Sequence, residues 1–438
     1  MGRLIGFAGM SHLGLVSSTA TAAKGFNIVA YDARTELVQR LHVGQLPVHE
    51  PELDELLRRN AHCMTFTNEA AHLSACEVVI LSMDVPTNQD NQSDLSALDH
   101  LADAVVRNLA DDSVLVVLSQ VRPGYTRQLA GRLEPILAEK RIQLYYQVET
   151  LIFGRAVERA LYPERYMVGC ADPEQPLPPA FHHLLAAFKC PILPMRYESA
   201  ELAKIAINIF LTASVTATNT LANLCEKIGA NWGEIAPALK LDKRIGPHAY
   251  LSPGLGLSGG NLERDLVTVQ SLAGEHGADA RLIDAYTGNS QYRRDWALRI
   301  LHTALSGKPG MPVVGVWGLA YKQDTHSVKN SPSLALLSSL AGMQVQAYDP
   351  QVKLDSIPSV QFRQVPSALD ACANADALVV MTPWSEFPAI DLNAVAGKLR
   401  RPIIIDPFGC LNAAQAKQLG LSYFKLGFST GESASRAA

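Results

Sequence analysis

Leu4-Ile5-Gly6-Phe7-Ala8 is an apolar run of strand length, and Gly9-Met10-Ser11-His12-Leu13-Gly14 follows it without a gap. In a G-x-G-x-x-G layout the first and last glycines serve a tight turn and close helix–strand packing. The middle position lets the backbone approach a pyrophosphate at a helix N-terminus. Ser11 stands in that middle position, where its Cβ pushes the phosphates outward or its hydroxyl bonds to them. Asp32 closes a second apolar run, Phe26–Tyr31. A carboxylate there suits a ribose 2′-hydroxyl and repels the added phosphate of NADP. Strand, loop, helix, strand and acid in this order predict an NAD site.

Further apolar runs at Val78–Ser82, Val114–Ser119 and Leu144–Gln147 alternate with segments such as Val16–Lys24 and Ser96–Leu109. In those segments apolar residues recur near i, i+3, i+4, and such alternation predicts a parallel sheet covered by helices. A long helical stretch, Glu201–Ile228, is free of Pro and Gly, and a Gly/Pro-rich loop follows at Ile245–Gly260. A second alternating region holds strands at Val313–Trp317, Gln344–Tyr348, Ala377–Met381 and Ile403–Asp406. The expected plan is α/β: a Rossmann-like domain over 1–195, a central helical dimerisation domain over 196–305, and a second Rossmann-like domain over 306–438. Gly427–Ala438 reads as a frayed tail.

Composition narrows the functional classes. The chain has 438 residues, 48% hydrophobic and 18% charged, with 38 Lys and Arg against 42 Asp and Glu. A net charge of -4 gives no general pull toward nucleic acid or an anionic membrane. The unbroken apolar runs are far short of the ~18 residues that span a bilayer. The seven cysteines are scattered and never spaced C-x-x-C, which predicts a reduced, cytoplasmic, metal-free protein.

Several segments together resemble the UDP-glucose/GDP-mannose dehydrogenase family. They are Gly6–Leu15, Gln45–Leu57 with its Pro-Val-His-Glu-Pro-Glu-Leu, Val85-Pro86-Thr87 with Ser93-Asp94-Leu95, Ala200–Asn208 and Arg244–His248. Gly318-Leu319-Ala320-Tyr321-Lys322 with Thr325, Ser331-Pro332 and Tyr348-Asp349-Pro350 complete the set. The resemblance implies NAD on the first domain, held by Gly9, Ser11, His12, Leu13, Gly14, Asp32, Arg34, Val85, Pro86, Thr87, Ser119, Gln120 and Lys329. It implies a UDP-sugar touching Thr150, Leu151, Lys204, Asn208, Arg244, Tyr250, Leu251, Gly256, Tyr321 and Lys322. It also implies a homodimer built on the central helix.

Family members oxidise a sugar C6 alcohol twice through a cysteine thiohemiacetal and thioester, chemistry that needs a thiolate. Carried over position by position, the family's lysine, asparagine, aspartate and glutamate match Lys204, Asn208, Asp265 and Glu149. The cysteine of the glycine-rich loop falls at Asn261, an amide. The family's second glutamate falls at Phe153, its water-ordering threonine at Gln120, its loop lysine at Arg264, and its sugar-reaching arginine in Asp406-Pro407-Phe408-Gly409. Groups that hold and deprotonate an alcohol remain, with Lys204 expected to work through Asp265. The implied activity is a two-electron oxidation of a nucleotide-linked sugar. A non-catalytic binding homologue and a cysteine-independent four-electron dehydrogenase stay open.

Overall fold

The computed structural model describes residues 4–88, 90–307, 310–353 and 362–429. The chain divides into two compact units, Met1–Ile207 and Asn208–Ala438. In the first, strands β1 (Leu4–Ala8), β2 (Asn27–Tyr31), β3 (Met64–Thr67), β4 (Val78–Leu81), β5 (Val114–Val117), β6 (Gln143–Gln147), β7 (Tyr166–Cys170) and β8 (Ile192–Arg196) form one sheet. Their order is β3-β2-β1-β4-β5-β6-β7-β8. Its helices are α1 (His12–Ala23), α2 (Thr35–His42), α3 (Leu53–Asn60), α4 (Ser96–Arg107), α5 (Tyr125–Glu139), α6 (Ala156–Leu161) and α7 (Pro179–Ala186).

Alternation along each strand splits the core in two. Phe7, Ile80 and Val116 face α1, α6 and α7 with Val16, Val157 and Phe181. Ala8, Leu81 and Val117 face α4 and α5 with Val105 and Leu129. All strand pairs are parallel except β6 with β7. The helix between those two strands has six residues and rises about 9 Å. A five-residue strand extends about 17 Å, so α6 does not return the chain to the start of β6, and β7 runs back instead. Strand β8 escapes a sequence reading because Pro194 interrupts it; it lies at the sheet edge, where a missing N–H is tolerated.

Helix α8 (Tyr197–Ile228) starts directly after β8, one turn earlier than the sequence suggests, and continues into the second unit. That unit adds α9 (Trp232–Leu241), α10 (Asn261–His276), α11 (Arg281–Arg294) and α12 (Trp296–Leu305). Its strands are β9 (Val313–Trp317), β10 (Gln344–Tyr348), β11 (Arg363–Gln364), β12 (Ala377–Val380), β13 (Ile403–Ile405) and β14 (Ser422–Phe424). They form an all-parallel sheet in the order β11-β10-β9-β12-β13-β14. Helices α13 (Pro332–Ser339), α14 (Ala368–Ala371), α15 (Leu392–Lys398) and α16 (Ala413–Gln418) connect them. The helices expected as a middle domain and the second sheet thus share one compact unit.

The two sheets repeat one construction. Gly9 N donates to Tyr31 O at 2.9 Å and Gly318 N to Tyr348 O at 2.7 Å. Each glycine has positive φ, 97° and 92°. The next residue, Met10 or Leu319, donates its N–H to the aspartate that ends the second strand, Asp32 or Asp349.

Two sequence expectations change. Gly427 is not frayed: its N–H reaches Glu226 Oε1 at 2.9 Å and its carbonyl accepts Trp232 N. A Cβ on Gly427 would lie 2.7 Å from Trp232 Cβ, so glycine permits the approach. The remainder of the expected tail, 430–438, lies outside the described residues. Second, α8 is long and apolar enough to cross a membrane by length and composition alone, with a mean hydropathy of 1.4 over its best window. Several of its polar side chains nonetheless have protein partners. Glu201, fully buried, accepts Gly124 N at 2.6 Å and Thr126 N at 2.7 Å, capping α5.

Burial pushes the Glu201 carboxyl above its ordinary value, against the N–H bonds that pull it down. Its contribution is therefore fully present below the unfolded value of about 4.3 and declines as pH rises through the raised folded value. Glu201→Ala is expected to lower stability by about 2 kcal/mol by stranding the buried Thr126 N–H and the half-buried Gly124 N–H. Urea unfolding between pH 4 and pH 8 should show the deficit narrowing as pH rises.

Candidate active site

The nucleotide loop is shaped by contacts that only glycine allows. A Cβ on Gly14 would lie 1.9 Å from Gly9 O, and one on Gly9 would lie 2.8 Å from Met83 Cβ. Both positions bring backbone against backbone at the start of α1, the cradle a pyrophosphate requires. The residues present fit NAD. The Ser11 Oγ accepts Asp84 N at 2.8 Å and donates to Ser82 O at 3.3 Å, so the hydroxyl also serves the turn after β4. The Asp84 carboxylate also accepts Leu13 N at 3.4 Å, standing where an anionic ligand would engage the helix.

Asp32 is buried, and both its oxygens are occupied. Oδ1 accepts Arg34 N and Nε; Oδ2 accepts Met10 N and Arg34 Nη2. Burial works to raise the carboxyl, but the Arg34 guanidinium and these N–H groups outweigh it and hold it below the ordinary range. The Arg34 side chain is 66% exposed and its guanidinium lies against both Asp32 oxygens. Ser119 is fully buried and donates to Met83 O at 2.7 Å, joining the ends of β5 and β4. Thr87 bridges to Ser93, and Pro86 O accepts Asp94 N, closing the Val85-Pro86-Thr87 loop on itself. Gln120 is half-buried just beyond β5. His12 turns away from the loop mouth: its Nε2 is 2.9 Å from Glu50 Oε2. Glu50, in the quoted Pro-Val-His-Glu segment, has no role in the sequence reading.

Lys204 Nζ lies 3.2 Å from Glu149 Oε2, with both side chains largely shielded. Glu149 Oε1 accepts the N–H of Leu151, fixing the segment that holds Thr150. One turn further along α8, Asn208 Nδ2 donates to Asp265 Oδ2 at 2.6 Å. Asp265 is 1% exposed, and Arg264 Nε reaches its Oδ1 at 3.2 Å. The structure thus gives Lys204 the partner Glu149, while Asp265, expected to work with the lysine, is engaged by Asn208 and Arg264.

Asn261 is the exposed first residue of α10. A Cβ on the preceding Gly260 would lie 3.2 Å from the Lys329 stem, so Lys329 passes over this helix start. Gly256 needs its positive φ, and a Cβ there would lie 2.4 Å from Ser290 O. Tyr321 packs on Gly259, and Lys322 Nζ sits 5.8 Å from the Tyr321 ring centre. The backbone carbonyls of Tyr250 and Leu251 are taken by Ser214, Thr218 and Trp232. Arg244 stands with its side chain 89% exposed, paired to Asp242.

None of the seven cysteines stands in the glycine-rich loop before α10. All seven are free. Burial raises Cys76, Cys372 and Cys410 to about 12, and raises Cys170, Cys190 and Cys225 as well. A raised thiol is a poor nucleophile at neutral pH. Cys225 packs with Ala222 and Trp232 as a small apolar residue.

Comparison with known proteins bears on the whole chain. Residues 3–186 match the NAD binding domain of the UDP-glucose/GDP-mannose dehydrogenase family, 198–290 its central domain and 315–413 its UDP binding domain. UDP-glucose 6-dehydrogenase of Rickettsia bellii is 28% identical, covering 97% of this chain and 99% of that protein. The Pseudomonas aeruginosa enzyme of that name is also 28% identical, covering 96% of each. Among solved structures, a UDP-glucose dehydrogenase from Pyrobaculum islandicum superposes with a TM-score of 0.84 at 25% identity over 98% of both chains. This chain belongs to the UDP-glucose/GDP-mannose dehydrogenase family of NAD-dependent nucleotide-sugar dehydrogenases.

Proposed function

We propose that this protein removes one hydride from a hydroxyl-bearing carbon of a UDP-linked sugar and releases the aldehyde or ketone. The observation that carries the reading is the Lys204–Glu149 pair at 3.2 Å; the reading also takes Asn261 to stand where the resemblance puts the family's cysteine. NAD, when bound by the Gly9–Gly14 cradle, supplies the hydride acceptor. Lys204 donates toward the developing alkoxide and relays its proton to Glu149, receiving the hydroxyl proton as it passes one on. In the second unit, Asp265 fixes the Asn208 amide. Asp265 accepts Asn208 at one oxygen and meets Arg264 at the other. Nothing at Asn261 stores the carbonyl as a thiohemiacetal, so the reaction ends after one hydride.

The occupied Asp32 carboxylate and the Asp84 contact favour a second reading, a homologue that binds ligand without turnover. In either reading residues 1–195, 196–305 and 306–438 act as cofactor, helical and nucleotide-sugar parts. The chain pairs with a second copy through α8, whose Phe210 and Ile228 are 79% and 65% exposed.

Purified protein with NAD and a panel of UDP-, GDP- and TDP-sugars, followed by NADH absorbance and mass spectrometry, tests the reading. One NADH per sugar with a carbonyl product is expected. Measurable binding without NADH on any sugar selects the second reading. Lys204→Ala should lower kcat by about 100-fold or more, as loss of a proton-transfer group does. Asn261→Cys should leave the first oxidation unimproved and permit some acid. Phe210→Glu should shift the mass measured by light scattering from dimer to monomer.

A further inference from the structure

His12 and Glu50 belong to the first unit, are almost fully buried, and are not used by the chemistry above. Glu50 gathers three donors from two segments. Its Oε1 accepts Ala156 N at 2.8 Å, and its Oε2 accepts Gly154 N at 3.1 Å. His12 Nε2 lies 2.9 Å from that same Oε2 and, facing an acceptor, carries the proton. The His12 ring also packs on Phe153, with centres 4.3 Å apart. His12 lies inside the nucleotide loop, in the first turn of α1. Phe153, Gly154 and Ala156 follow directly on Glu149, Thr150 and Leu151, the segment paired to Lys204. A carboxylate bonded to both, with a ring stacked across the join, leaves neither segment able to shift alone.

We propose that His12 and Glu50 form a latch that couples the dinucleotide loop to the 149–156 segment, with His12 as the positioning residue. The inference rests on the functional reading for what the two segments bind. A nicotinamide dinucleotide settling on Gly9–Gly14 fixes His12, and through Glu50 it orders Thr150 and Leu151 for the sugar. Linkage is reciprocal, so a nucleotide sugar held by that segment strengthens dinucleotide binding by the same factor. Phe153, which stands where the family has a second glutamate, is part of this coupling rather than a polar contact to the sugar.

Hydrogen exchange with NAD alone tests the latch apart from turnover. In the full-length wild-type chain, saturating NAD should slow exchange in peptides spanning 150–157 by about fivefold or more, the low end of ordinary coupling. In His12→Phe, which keeps the ring against Phe153 and removes the bond, NAD should still bind while that protection disappears. His12→Gln, able to donate to Glu50 again, should restore it. Phe153→Ala, at a half-exposed residue, should reduce it in part and provides a second variant if His12→Phe does not fold. The proposal is overturned if NAD leaves 150–157 unchanged in the wild type. It is equally overturned if His12→Phe retains the protection, or if His12→Gln fails to restore what His12→Phe loses. Absence of NADH in the sugar panel would instead count against the functional reading.

Discussion

One face of helix α8 carries Glu201, Lys204 and Asn208 at i, i+3 and i+7, and each side chain is held by a partner from elsewhere in the sequence. Glu201 caps α5 through Gly124 and Thr126, Lys204 pairs with Glu149 after β6, and Asn208 binds Asp265 in α10. Polar groups on an otherwise apolar helix carry a desolvation penalty unless partnered. Their partners are therefore pinned to the helix as firmly as the helix is pinned to them. In the first unit, the turn at Gly124 and the segment that bears Thr150 are tied to this helix; in the second, α10 is tied to it through Asp265.

Buried carboxylates do comparable work elsewhere. Asp349 collects the N–H groups of Leu319, Ala320, Gln351 and Val352 together with the Trp384 indole. Asp406 collects Gly409 N, Leu411 N and the Tyr423 hydroxyl. A carboxylate accepts several donors at once and donates to none, which suits the crowded turns at the carboxyl ends of parallel strands. Ligands of doubly wound sheets bind at those ends. The groups that stabilise the turns therefore adjoin the groups that contact ligand. In Asp32 the two duties collide, because Arg34 and Met10 already use its oxygens.

Much of this was legible from residues alone. The glycine loop, the alternation of strands and helices and the i, i+4 placement of Lys204 and Asn208 on one helix are local patterns, and the structure keeps each of them. The segments that escaped have physical reasons. Strand β8 holds a proline, β3 is a short edge strand, and β7 reverses because the helix before it is short. Gly427 looked frayed because its partners, Glu226 and Trp232, lie some 200 positions earlier in the chain. Ser11, Ser119 and His12 have the right residue types for a cofactor, but their polar atoms are committed to Asp84 and Ser82, Met83 and Glu50.

By itself the sequence determined the two largely parallel sheets and the dinucleotide loop, because each is written in adjacent residues or in a fixed period. Only the tertiary structure decided that Lys204 is paired with Glu149, that Asp265 is engaged by Asn208 and Arg264, and that every cysteine whose thiol shifts is pushed toward its neutral form. It alone showed that a buried glutamate joins His12 to the 149–156 segment. Those outcomes depend on which distant side chains meet and on how much water they exclude, and neither is set by the order of neighbours along the chain.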